Sequence, residues 1–128
     1  MNNTSMHGID VSFAQGPNID WNRVAASGIE FVIARIGRRT GVSAELGLDI
    51  DGINDIIQAK KTGLQVGAYF FTQAVNEAEA IEEADFAVKA LKDNGISLDL
   101  ALVIDTEYQP GFRHNYISWE TRTRVVKA

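Results

Sequence analysis

An α/β fold built on parallel strands is what this sequence predicts, on three observations. Short apolar, β-branched runs alternate with helix-patterned segments four times along the 128 residues. The first three helical segments each close on a glycine, Gly28, Gly63 and Gly95, where a left-handed residue ends a helix. Strand followed by helix in strict alternation implies right-handed crossovers, and those order the strands in parallel. A chain this long supports one domain with a true core, here residues 1–128 with a polar tail over 1–7.

The first strand is expected near residues 8–12, Gly8-Ile9-Asp10-Val11-Ser12, with Asp10 near its end and a turn at Gln15-Gly16-Pro17. Asp20 caps a short helix carrying Trp21, Val24 and Ala25. The second strand is expected near 30–36, with Arg35 inside it. A guanidinium there needs an anion or several acceptors, and the favoured alternative is a strand-end arginine whose stem lets it reach solvent. A glycine-bearing loop from Gly37 to Gly47 leads into a helix with Ile53, Ile56 and Ile57 on one side. The third strand falls near 64–71, where Gly67 and Ala68 suggest close packing. The next helix is capped by Asn76 with Glu79 three residues on, and Ile81, Ala84, Val88 and Leu91 repeat at helical spacing. The fourth strand is expected near 101–107, followed by an aromatic loop from Tyr108 to Ile117 and a helix capped by Ser118.

That fourth strand carries the chemistry. Ala101-Leu102-Val103-Ile104 runs directly into Asp105-Thr106-Glu107. Alternate strand side chains share a face, so the two carboxylates point one way, roughly 7 Å apart along the backbone, and Thr106 the other. Each negative charge disfavours ionisation of its neighbour, and glycoside hydrolysis needs such a pair. Acids at the same spacing also occur as Asp49/Asp51, Glu77/Glu79 and Glu83/Asp85. Only Asp105/Glu107 sit at the end of a buried run, where parallel sheets place their ligands. An open doubly wound sheet should cradle phosphate after its first strand, yet residues 10–16 match neither GxGxxG nor a P-loop. In a barrel the strand ends meet at one mouth, which would bring Asp10 to Asp105 and Glu107. The expectation is therefore a partial TIM-like barrel.

Composition narrows the rest. A net charge of −5 with scattered basic residues argues against nucleic acid as partner. With no cysteine there is neither a disulfide framework nor a thiolate metal site. His7 and His114 lack metal-ligand spacing and are read as surface residues, so neither a metal nor a cofactor is expected. No apolar run reaches the roughly 20 residues that span a bilayer, so no membrane partner is expected. The amino terminus lacks the basic and apolar regions of a secretory signal. That fits a chain without a secretory signal of its own, and equally a mature chain whose signal has been removed. Tyr108, Phe112 and Tyr116 could offer ring faces to sugars, Trp119 is expected to fasten its loop to the core, and Arg38 and Arg39 are read as solvated.

Four ordered motifs together resemble the glycoside hydrolase family 25 muramidases. They are Gly8-Ile9-Asp10-Val11-Ser12 with Gln15-Gly16 and Ile19-Asp20-Trp21; Gly28-Ile29-Glu30-Phe31-Val32-Ile33-Ala34-Arg35; Gly63 through Phe71; and Val103-Ile104-Asp105-Thr106-Glu107. The resemblance implies hydrolysis of the β-1,4 bond between N-acetylmuramic acid and N-acetylglucosamine in a peptidoglycan glycan strand. It implies Glu107 as general acid, Asp105 and Asp10 flanking the sugar and tuning Glu107 towards its protonated state, and Tyr69 lining the mouth. Arg35 and Tyr108 join Tyr69 as expected substrate-binding residues. Compared with the family the chain lacks the closing strands, and Gly52 stands where an aromatic is typical, which predicts loose packing of the second helix. An open sheet should weaken the site, so the activity of this chain is in question, with a non-catalytic peptidoglycan-binding remnant as alternative. Its free strand edges are expected to favour self-association.

Overall fold

The computed structural model describes residues 5–128; residues 1–4 of the expected polar tail lie outside the described residues. The order of elements is β1 (Gly8–Val11), α1 (Trp21–Ala26), β2 (Phe31–Arg39), β3 (Leu46–Leu48), α2 (Ile50–Lys61), β4 (Gln65–Phe71), α3 (Glu77–Asp93), β5 (Leu102–Asp105) and α4 (Trp119–Lys127), with 3-10 turns at Phe13–Gln15 and Arg113–Tyr116. Four strands form a parallel sheet in the order β1-β2-β4-β5. The sheet is open: among the described residues β1 and β5 each have a neighbour on one side only. The parallel α/β reading holds, with one addition. Within the expected loop of residues 37–47, β2 runs on to Arg39 and turns back as the short antiparallel β3.

The predicted caps operate as expected. The Asp20, Asn76 and Ser118 side chains accept from the backbone N–H groups of Arg23, Glu79 and Thr121, satisfying donors that the first turn of a helix leaves free. A fourth cap, Asp49, accepts from the Gly52 N–H at the start of α2.

The two sheet faces differ. Val11, Val32, Ala34, Ile36, Val66, Ala68 and Phe70 alternate onto one face and bury against Trp21 of α1, Ile53, Ile56 and Ala59 of α2, and Ala87 and Leu91 of α3. The other face carries Asp10, Ile33, Arg35, Tyr69, Val103 and Asp105, and among the described residues no helix covers it. Val103 there is 40% exposed. This is the face that a closed barrel would turn inward.

Two packing expectations are corrected. On α3 the inward stripe is Ala80, Glu83, Ala87, Ala90 and Leu91, whereas Ile81 and Val88 are 51% and 41% exposed and Ala84 is exposed too. Ala80, Ala87 and Ala90 on the inner side let α3 lie close to the sheet, so Ile81 and Val88 face out, while Leu91 packs into the core as its spacing suggests. Gly52 does not loosen α2. A Cβ there would lie 1.7 Å from the Arg35 carbonyl oxygen, so its missing side chain is what allows α2 to approach β2 at that point.

Candidate active site

Register brings the expected acids to one place. Asp10 pairs with Ile33 across β1 and β2, Arg35 with Tyr69 across β2 and β4, and Tyr69 and Phe71 with Val103 and Asp105 across β4 and β5. Paired and alternate residues share a face, so the C-terminal ends of all four parallel strands contribute to one surface. Asp10, Tyr69, Asp105 and Glu107, with Ile33, Val103 and Ile104 beneath them, line a cleft of about 380 Å³. A neighbouring cleft of about 550 Å³ shares Tyr69, Asp105 and Glu107 and continues past Arg35, Arg38, Phe13 and Phe112. Tyr108 lines neither and is 72% exposed.

β5 ends at Asp105, and Glu107 stands exposed just beyond it, where its Oε2 accepts from Gln109 Nε2 at 3.2 Å. Burial pushes the Asp105 carboxyl up to about 6, its contact with the Glu107 carboxylate and the charge of Asp10 push the same way, and Arg35 opposes them. Asp105 is the inner member of the pair. Desolvation is the stronger influence, and it acts on the side chain pressed against the sheet. Burial also raises the Tyr69 phenol, with Arg35 opposing and Asp10 and Asp105 adding to it. Tyr69 therefore presents an un-ionised hydroxyl, able to donate to a ligand oxygen.

Arg35 does not reach into solvent. Its Nε donates to Asp49 Oδ2 at 2.9 Å, and its guanidinium lies 4.7 Å over the Phe13 ring centroid. The same Asp49 oxygen accepts from the Phe13 N–H, and Oδ1 accepts from the Gly52 N–H. One buried carboxylate thus ties the loop after β1, the site arginine and the start of α2 together. A bulge between Arg35 and Gly37 breaks the alternation of β2. Arg38 consequently pairs with Phe71 and faces the cleft. Arg39, read from sequence as solvated, instead turns to α3 and is buried, its Nε donating to Glu83 Oε1 at 2.9 Å and its Nη2 to Glu82 Oε2 at 2.7 Å.

His114 is corrected in the same way: it is fully buried, 0% exposed. Its Nδ1 lies 2.7 Å from the Ala74 carbonyl and its Nε2 2.7 Å from Thr106 Oγ1. A carbonyl only accepts, so Nδ1 carries the hydrogen. Burial pushes the imidazole pKa down and keeps the ring neutral, so Nε2 accepts from the Thr106 hydroxyl. That bond pins the residue between Asp105 and Glu107 to the segment following β4. Phe112 packs on Gly41, where a Cβ would come within 2.2 Å of the ring, and the Arg113 N–H donates to the Gly41 carbonyl. The aromatic loop thereby becomes one wall of the larger cleft. Trp119, expected against the core, is 80% exposed.

Sequence reasoning missed Asp49, Phe13, Gln109 and the structural part played by His114. Only Asp49 carried a usable signal, as an acid three residues ahead of a glycine at a helix start. Among the described residues no group of three or more His, Cys, Asp or Glu side chains is placed to hold a metal ion.

The sequence profile of Glycosyl hydrolases family 25 matches residues 9–127. No curated protein shows significant sequence similarity. Among solved structures, the modular autolysin LytC from Streptococcus pneumoniae superposes with a TM-score of 0.77 at 22% identity, over 93% of this chain and 27% of that one. A family 25 glycosyl hydrolase from Bacillus anthracis gives 0.72 at 22% identity, over 99% of this chain and 54% of that one. The bacterial lysozyme from Streptomyces coelicolor gives 0.68 at 22%, over 98% and 55%. The chain thus spans about a quarter of the first of these proteins and little more than half of the other two.

Proposed function

This chain belongs to glycosyl hydrolases family 25, and from that premise we propose that it is a muramidase, hydrolysing the β-1,4 bond between N-acetylmuramic acid and N-acetylglucosamine in the cell wall, as an endolysin would. One observation carries the reading: Asp10 and the Asp105–Glu107 pair, almost a hundred residues apart in the sequence, line a single cleft at the C-terminal ends of the strands. LytC from Streptococcus pneumoniae has been solved in complex with a synthetic peptidoglycan ligand, which supports the substrate class.

In this proposal burial and the neighbouring Glu107 and Asp10 carboxylates keep a proton on Asp105 in the mildly acidic range, and the contact between the two side chains lets Asp105 share it with Glu107. Glu107, the exposed member, delivers that proton to the glycosidic oxygen as the bond to the anomeric carbon breaks. Asp105 and Asp10, on opposite strand edges, carry the charge that stabilises the positive sugar ring until a water molecule bonds to the anomeric carbon and gives its proton back to the pair. Tyr69 donates to a sugar oxygen, and Arg35, held by Asp49, favours the ionised form of Asp105. A second reading, a wall-glycan binder without turnover, is favoured by the open sheet, since misplacing catalytic groups by about 1 Å costs on the order of a hundredfold in rate. The free edges of β1 and β5 also suit pairing between two copies of the chain.

Release of reducing ends from purified peptidoglycan, by this chain and by Glu107→Gln, tests the proposal. Activity that falls by about 10²–10⁴ in the variant, the usual worth of a general acid, supports it. Glycan binding without turnover in either chain transfers the conclusion to the binder. Light scattering of the same preparation over a concentration series checks self-association, and a constant monomer mass overturns that part.

A further inference from the structure

Three arginines leave the C-terminal end of β2, and their partners differ. Arg35 is committed to Asp49 and Arg39 to Glu82 and Glu83. Arg38 is exposed and forms no ion pair among the described residues. The bulge at Arg35/Gly37 turns it onto the cleft face, where its guanidinium lies 5.7 Å over the Phe13 ring centroid. It lines the 550 Å³ cleft that also holds Asp105 and Glu107, and it lines an adjoining recess of about 220 Å³ between Phe13 and the start of α2. Acids in that recess do not cancel its charge. Asp49 is already neutralised by Arg35, and Asp51, in the first turn of α2, makes no ion pair with Arg38. The cleft is therefore polarised, with carboxylates at the strand ends and one uncommitted cation, seated on an aromatic ring, further along it.

Resting on the muramidase reading, we infer that Arg38 is a specificity-determining residue that receives a carboxylate of the glycan, the group that an acidic amino sugar or its attached peptide carries and a neutral chitin chain lacks. A guanidinium fixed on a ring presents two parallel N–H donors, which match a carboxylate and gain nothing from a neutral sugar hydroxyl in its place. The register sets Arg38 two strands from Asp105, through Phe71, roughly 10 Å away at the spacing of neighbouring strands, so the charge selects which residue of an alternating glycan occupies that position.

The test is binding, measured by calorimetry or NMR in the Glu107→Gln background so that the ligand survives. Ligands are chitotetraose, a tetrasaccharide of alternating N-acetylglucosamine and N-acetylmuramic acid with free lactyl carboxylates, its methylamide, and the same glycan bearing its peptide. The expected result is that a carboxylate-bearing glycan binds about five- to tenfold more tightly than the methylamide at low salt. Arg38→Gln should abolish that preference and leave chitotetraose affinity unchanged, and Arg38→Lys should retain part of it. A gain with the free lactyl acid locates the carboxylate on the sugar, and a gain only with the peptide-bearing glycan locates it on the peptide. Equal affinity for the methylamide, the free acid and the peptide-bearing glycan, or a preference that survives Arg38→Gln, overturns the inference while leaving the muramidase reading standing. Failure to bind any of the four glycans overturns both.

Discussion

Replacing Gly52 by alanine sets two effects of known size against each other. At an ordinary helix position the change gains up to about 1 kcal/mol, because glycine has the greater backbone entropy to lose. At Gly52 the added Cβ would stand 1.7 Å from the Arg35 carbonyl oxygen and 2.7 Å from its carbon, below the 3.0 Å that real Cβ atoms respect. Those are backbone atoms of a central strand, so relief must come from α2 backing away by roughly 1 Å. Overpacking of this kind costs about 1–3 kcal/mol or more, and the displacement also strains the Gly52 N–H bond to Asp49, worth about 1–2 kcal/mol as a cap. The net expectation is a loss of about 2–3 kcal/mol. For a domain of 128 residues that lowers the melting temperature by about 7–11 °C, at about 2.1 cal/mol/K of unfolding entropy per residue. Thermal unfolding followed by circular dichroism reads it. Gly47→Ala is the control, since the nearest atom to its Cβ lies 4.0 Å away. A Gly52→Ala protein as stable as the parent would refute the close-approach argument and restore the idea of a loosely packed second helix.

Two other sites carry predictions of their own. Asp55 is buried at 3% exposure, and burial, opposed by a hydrogen bond from Trp21 and aided by Asp51 and Asp49, raises its carboxyl from 3.8 to about 6. The folded state then binds the proton more tightly than the unfolded chain, so this contribution is complete below pH 3.8 and is lost as pH rises through about 6. The loss is on the order of 3 kcal/mol for a shift of this size. Asp55→Asn should gain stability over the parent at pH 7.5 and lose that advantage by pH 4; an advantage independent of pH would refute the assignment. Arg39→Met leaves the fully buried Glu83 without its cation, which costs about 3–5 kcal/mol in denaturant unfolding. Adding Glu83→Met should recover most of that, and a double variant no better than the single one would show that the pair is not an isolated unit.

The strand–helix alternation was legible because each element announced itself locally. Asp20, Asn76 and Ser118 are caps whose partners lie three residues away, and Gly28, Gly63 and Gly95 take the positive φ that ends a helix. Asp105 was legible for a similar reason, since a carboxylate at the end of an apolar run can hardly be buried without purpose. The short β3 was not legible, because Leu46-Gly47-Leu48 is too brief to show a period. His114 was missed because its partners, Thr106, Gln73 and Ala74, are supplied by distant segments. A lone histidine in a polar loop reads the same whether buried or exposed.

The bulge in β2 shows most clearly why the site exceeded what pattern could reveal. A strict period of two from Val32, Ala34 and Ile36 assigns Arg38 to the helix side and Arg39 to the open side, the reverse of what is found. One extra residue reverses both at once. It sends Arg39 to Glu83, which also accepts from the Thr72 hydroxyl and the Gln73 N–H just past β4. Gln73 in turn accepts from the His114 N–H, and His114 holds Thr106 between the two acids. The same local irregularity that places an uncommitted cation in the cleft therefore also starts the buried chain of bonds that braces the far wall. Removing the bulge would not merely delete a charge from the cleft. It would strip Glu83 of its partner and release the strand end on which Asp105 and Glu107 depend, so binding specificity and site geometry are set by one backbone feature.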